Sequence, residues 1–72
     1  MIVAVTGASG YLGYKLVRHL SGLDEVDLIL AIDNRMPEYP IGPKTHFHLH
    51  DISLPLGNLL SNHNVDSVAH MA

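Results

Sequence analysis

Apolar and polar residues follow two different rhythms along this chain. Ile2–Val5 is a continuous apolar run, mostly β-branched, and predicts a strand buried on both faces. Thr6–Gly10 is small and glycine-bearing and predicts a tight turn. From Tyr11 the period becomes helical. Leu12, Leu16 and Leu20 recur every four residues with Val17 beside them, and Lys15, Arg18 and His19 fall on other faces or in the last turns. Gly22 stands where a helix C-terminal glycine belongs. Val26–Ile32 predicts a second strand, closed by the polar triplet Asp33-Asn34-Arg35. Pro37, Pro40, Gly42 and Pro43 then crowd together, which predicts a loop. Thr45–His50 alternates and predicts a third strand. Asp51 or Ser53 can cap a short helix over Leu54–Ser61, with Pro55 in its first turn. His63 and Asn64 suit a helix-terminating turn, and Val65–Ala69 predicts a fourth strand.

Strands separated by helices or long loops pair in parallel through right-handed crossovers. The expected fold is therefore α/β, the first half of a doubly wound parallel sheet with strand order 3-2-1-4. The fourth strand would then be a hydrophobic edge, which natural domains avoid. The chain accordingly reads as a fragment, or as the start of a longer protein.

Composition narrows the function classes. Four Lys and Arg against seven Asp and Glu give a net charge of −3, which argues against a nucleic-acid-binding surface. The absence of cysteine excludes a disulfide scaffold and thiolate metal sites. The longest apolar runs, Met1–Val5 and Leu28–Ile32, fall far short of the roughly 20 residues a membrane-spanning helix needs. Met1 leads straight into a strand-like run with no leader pattern, so a soluble, cytoplasmic protein is expected. With 47% hydrophobic and 15% charged residues the chain is globular in character. At 72 residues it would bury only about 60% of its unfolded surface, so stability by itself would be marginal.

The sharpest chemical signal is Thr6-Gly7-Ala8-Ser9-Gly10-Tyr11-Leu12-Gly13, placed between a strand and a helix. Gly7 permits the sharp turn out of the strand. Gly10 presents no side chain where a pyrophosphate must approach the backbone, and Gly13 lets the helix pack closely on the sheet. The N–H groups and dipole at the helix start favour anionic phosphates. The plain alternative, a strand–turn–helix connection without a ligand, is weakened by context: a buried strand before, an amphipathic helix after, and Asp33 twenty residues beyond Gly13.

With these residues the chain resembles the extended short-chain dehydrogenases/reductases, specifically the NAD-dependent epimerase/dehydratase branch, whose fold is the Rossmann sheet. The Thr-Gly-x-x-Gly-x-x-Gly spacing is typical of that family. Asp33-Asn34 resembles its ribose-binding acid and neighbour. Asp51-Ile52 resembles the pair that meets the adenine, and His70-Met71-Ala72 resembles the His-x-Ala segment on the nicotinamide side. The resemblance spans nearly the whole chain except the proline-rich loop. It implies that residues 1–72 are the N-terminal part of an NAD(P)-binding domain whose remaining part and substrate region lie further on. The cofactor set it implies is Gly7, Ala8, Ser9, Gly10, Tyr11, Leu12, Gly13, Asp33, Asn34, Arg35, Asp51, Ile52, Met71 and Ala72.

Asp33 favours NAD over NADP, because a carboxylate at the ribose repels a 2′-phosphate. Arg35 could pair with such a phosphate, and its plainer reading is a solvated loop cation. Asp51 carries two compatible readings, adenine contact and helix cap. Ile52 would press on adenine or fill core, and Met71 and Ala72 would contact cofactor through nearby backbone.

Two further patterns carry less. His46, His48 and His50 share one strand face among six histidines. Alternate residues on a strand lie about 6.5–7 Å apart, too spread for one ion. On an edge strand exposed polar residues are expected, so no metal is assigned. Tyr11 and Lys15 have the Tyr-x-x-x-Lys spacing of the family's catalytic pair. They sit at the pyrophosphate end, however, out of the roughly 3 Å reach that proton transfer requires. No catalytic residue is therefore expected within these residues. Tyr14 and Tyr39 show nothing beyond surface packing.

Two functions follow. The resemblance implies the dinucleotide-binding portion of an NAD-dependent nucleotide-sugar epimerase or dehydratase, whose longer form would take a nucleotide sugar and form a homodimer. Alternatively the chain is a non-catalytic NAD(P)-binding sensor of the same fold. A Tyr-x-x-x-Lys on a later helix would distinguish them.

Overall fold

The structure is a computed structural model that describes residues 1–40, 42–51, 55 and 57–71, with only the backbone of Asn58, Leu59 and Asn62. Six elements follow in order: β1 (Ile2–Thr6), α1 (Tyr11–Ser21), β2 (Leu28–Asp33), β3 (Thr45–Leu49), α2 (Gly57–Asn62) and β4 (Ser67–His70). The strands form one parallel sheet in the order β3-β2-β1-β4, as the crossover argument requires. Register pairs Val5 with Ala31 and Ala69, and Thr6 with Ile32 and His70.

Successive side chains on a strand point to opposite faces, and the two central strands fill both. On one face Val3, Val5, Ile29 and Ala31 meet Val17 of α1, with Leu16 and Leu20 packed against them. On the other, Ala4, Leu30 and Ile32 meet Leu60 of α2 and Val65. Full burial of each Val, Leu or Ile contributes about 1.5–3 kcal/mol, so β1 and β2 hold most of the core.

The hydrophobic period of α1 needs one correction. Leu12 was expected on the packed stripe with Leu16 and Leu20, yet it is 63% exposed. The buried line runs Gly13, Leu16, Val17 and Leu20 instead. The helix approaches the sheet through Gly13, and a Cβ there would stand 2.2 Å from the Gly7 carbonyl oxygen. That approach turns Leu12 outward. Gly22 is the C-cap, as expected, but its φ of −87° is right-handed, so the position does not draw on glycine's freedom.

Strand bounds shift by one or two residues from the pattern-based expectation. β1 includes Thr6, β2 runs from Leu28 to Asp33, β3 stops at Leu49, and β4 begins at Ser67. The helix expected over Leu54–Ser61 is observed as Gly57–Asn62, so Pro55 precedes it. Asp51 lies six residues ahead of Gly57 and does not occupy its N-cap position; the alternative cap, Ser53, lies outside the described residues together with Leu54. Asn64 closes α2 at φ 53°, with Asn64 N–H on the Ser61 carbonyl (3.3 Å) and Val65 N–H on the Leu60 carbonyl (3.3 Å). This is the left-handed cap that asparagine tolerates.

Candidate functional site: a cleft at the glycine turn

All four strands are parallel, so the C-terminal ends of β1, β2 and β4 share one edge of the sheet. Ligands of open α/β sheets bind at such an edge, where the strand order reverses. Here the chain runs outward from β1 to β2 and β3 on one side and then crosses from β3 to β4 on the other side of β1, so the order reverses between β1 and β4. A cleft of about 340 Å³ opens there, lined by Gly7, Gly10, Asp33, Asn34, Arg35 and Met71.

The three glycines serve different ends. Gly7 has φ 68°, a conformation that costs residues with a Cβ, and it turns the chain out of β1. Gly13 is demanded by packing, since its Cβ would also come within 2.8 Å of the Ala8 Cα. Gly10 is demanded by neither. A Cβ there would meet only the Gly7 carbonyl oxygen at 3.5 Å, an ordinary contact. Its bare Cα leaves open space in the cleft rather than relieving a clash.

Gly10 is also the N-cap of α1, with no side-chain capping bond and no acidic residue in the first turn. The first helical bond is Tyr14 N–H to the Gly10 carbonyl (2.9 Å). The N–H groups of Tyr11, Leu12 and Gly13 therefore have no acceptor within the helix. Partial positive charge collects at this end, and Arg18 and His19 occupy the opposite one. The site suits an anion held by backbone groups.

Asp33 ends β2 at the cleft. Its Oδ2 accepts from Ser9 N–H (2.9 Å) and its Oδ1 from Asn34 N–H (2.7 Å). A carboxylate offers about four lone-pair sites, so two bonds leave capacity for a ligand hydroxyl. Ser9 Oγ donates to the Arg35 carbonyl (2.8 Å), and Ser9 and Arg35 line a smaller hollow of about 60 Å³ with Met36 and Glu38. Ala8 is fully buried, with its N–H on the Ile32 carbonyl (3.2 Å). Tyr11 and Leu12 are exposed at the helix start, and Lys15 Nζ lies 4.9 Å from the Tyr11 ring centre.

The far wall comes from β4. Met71 N–H donates to the Thr6 carbonyl (3.0 Å), and the Thr6 hydroxyl bonds His70 Nδ1 (2.6 Å). Asp51 is exposed and does not line the cleft, although His50 N–H donates to the Asp33 carbonyl (2.8 Å) and brings the chain alongside. Ile52 and Ala72 lie outside the described residues.

Tyr39 departs from its surface-packing expectation. Its hydroxyl donates to the Ala8 carbonyl (2.5 Å), and its ring meets Tyr14 at 4.3 Å. Burial first, then the charge of Asp33 and the neighbouring Tyr14, raise the phenol pKa above its ordinary 10.0. The Thr6–His70 pair was equally hidden. Neither has a sequence signal, because the partners lie 31 and 64 residues apart.

His46 is exposed and His48 half-buried, with its ring 5.2 Å from His63. Among the described residues no three His, Cys, Asp or Glu side chains come together as a metal site. No described helix is long and apolar enough to cross a membrane.

Residues 3–72 match the family described as NAD dependent epimerase/dehydratase. Two solved structures of UDP-glucuronic acid 4-epimerase from Bacillus cereus are similar over 100% of this chain, each with a TM-score of 0.80 and 26% identity. One is in complex with NAD, the other with UDP-glucuronic acid and NAD. The matched region covers 27% and 26% of those chains, so this chain spans about a quarter of their length. Comparison with curated proteins yields no match.

Proposed function

This chain belongs to the NAD-dependent epimerase/dehydratase family, and from that premise we propose that its cleft holds NAD for a nucleotide-sugar epimerase or dehydratase. The observation that carries the reading is Gly10. The fold tolerates a side chain there, yet the position is bare where an uncapped helix start faces the cleft. A phosphate group fits that space and those donors.

In this reading the pyrophosphate lies along Gly7, Ala8, Ser9 and Gly10, against the N–H groups of Tyr11, Leu12 and Gly13. Asp33 accepts from the adenosine ribose with its remaining lone pairs, and Asn34 and Arg35 flank it. The adenine is assigned to Asp51 and Ile52, beyond the point where His50 bonds the Asp33 backbone. Met71 and Ala72 border the nicotinamide side, below the Thr6–His70 bond. NAD, when bound, supplies the hydride-accepting ring; the chain binds and orients it. No proton-transfer residue is assigned within these residues. The substrate, the homodimer and a cytoplasmic location belong to the longer protein in the same reading, as does the catalytic Tyr-x-x-x-Lys. A sensor lacking that pair would use the same cleft, and a longer sequence without it would favour that second reading.

Calorimetric titration with NAD and NADP tests the proposal. Asp33 beside the ribose predicts tighter NAD binding. Tighter NADP binding would reverse the assignment, and no binding of either would remove it.

A further inference from the structure

The Ala8–Ser9 peptide group is gripped at both ends. Its carbonyl accepts from the Tyr39 hydroxyl (2.5 Å), and its N–H donates to Asp33 Oδ2 (2.9 Å). In a planar trans peptide these two groups point in opposite directions. The two bonds therefore pull from opposite sides and set the rotation of the plane. Turning it over would aim the Ala8 carbonyl at the Asp33 carboxylate and leave the phenol donor facing an N–H. Either change costs far more than a hydrogen bond returns.

Tyr39 is itself anchored. Its ring rests on Tyr14 in α1, whose hydroxyl accepts from Arg18 Nη1 (3.0 Å). The Ser9 hydroxyl ties the same segment down through Arg35. A phenol whose pKa is raised remains a donor at neutral pH. The segment after β2 thus folds back over the glycine turn, with Arg35 bonded to Ser9 and Tyr39 to Ala8.

We propose that Tyr39 is a positioning residue for the phosphate turn, locking the Ala8–Ser9 peptide against Asp33 so that Gly10 and the first N–H groups of α1 face the ligand. The proposal rests on the dinucleotide reading of the cleft. It also gives Asp33 a second duty, since the ribose acid organises the turn before any ligand arrives.

The test compares the whole polypeptide with its Tyr39→Phe variant, which keeps the ring and removes only the donor. NAD, ADP and adenosine are titrated by calorimetry, and Ser9 amide exchange is followed by NMR without ligand. The variant is expected to weaken NAD and ADP by about five- to tenfold, the scale of one hydrogen bond. Adenosine, which lacks the pyrophosphate, should change by less than about twofold on the same scale. Ser9 exchange should accelerate while the unfolding midpoint holds. Unchanged NAD affinity with unchanged Ser9 exchange would overturn the proposal. So would an equal loss for all three ligands, or a variant that fails to fold, since the hydroxyl would then be structural. A wild-type protein that binds none of them overturns the dinucleotide reading instead, and Ser9 exchange still decides whether the lock exists.

Discussion

Gly10 and Gly13 are the same residue type, three positions apart, with opposite reasons for being glycine. A Cβ at Gly13 would enter backbone atoms of Gly7 and Ala8, which cannot swing aside as a flexible side chain can. Gly13→Ala should therefore push α1 off the sheet and cost about 1–3 kcal/mol or more, the range for overpacking. Gly10→Ala meets no such obstacle, and losing a glycine N-cap costs about 1 kcal/mol or less. Its methyl group would instead occupy the ligand's space, so NAD affinity should fall by at least about tenfold, ~1.4 kcal/mol. Urea unfolding and NAD titration of both variants check the pair. Equal destabilisation by the two would show that Gly10 is structural as well. Tyr39 illustrates the reverse case, a residue without any motif whose hydroxyl reaches the heart of the turn.

Between elements, β3 and the end of α2 meet through two histidines. His48 Nε2 is shielded from water and has no hydrogen-bond partner among the described residues, and its ring stands edge-on to His63. Burial, then His63, then His46 hold the His48 pKa below its usual 6.5. The unfolded chain therefore takes up this proton more readily than the folded one. The neutral form's contribution to stability is complete above about pH 6.5 and is lost as pH falls through the folded-state value. Urea midpoints should drop between pH 7.5 and 5.5. His48→Phe, which keeps an aromatic ring and removes the titrating group, should flatten that slope. An unaltered slope would place the pH dependence elsewhere.

Across the whole molecule, apolar burial is uneven. β1 and β2 are enclosed on both faces, whereas β4 is mostly exposed, and Val68 is 49% accessible on the face it shares with Ala4. The outer edge of β4 has no neighbouring strand among the described residues. Unpaired, apolar edges recruit other strands. The isolated 72-residue chain should accordingly associate with rising concentration, and Val68→Lys should reduce this, as seen by sedimentation velocity. A monomer at all concentrations would refute the idea. Marginal burial for a chain of this size points the same way.

Much of this architecture was legible in the order of residues alone. The apolar run of β1, the period of α1, the glycine spacing and the acid ending β2 act through neighbouring backbone sterics and side-chain direction, which depend on residues close in sequence. Parallel pairing then restricts the strand order to very few choices. The tertiary structure decided which flank of α1 faces the sheet, since the line through Gly13 and Val17 keeps Leu16 and Leu20 but leaves Leu12 outside. It also decided that Asp33 holds Ser9 across 24 residues and that Tyr39 holds Ala8 across 31. The first depends on the pairing that sets the end of β2 beside the turn, and the second on where a proline-rich loop comes to rest in space, a landing point that no periodicity within the loop encodes.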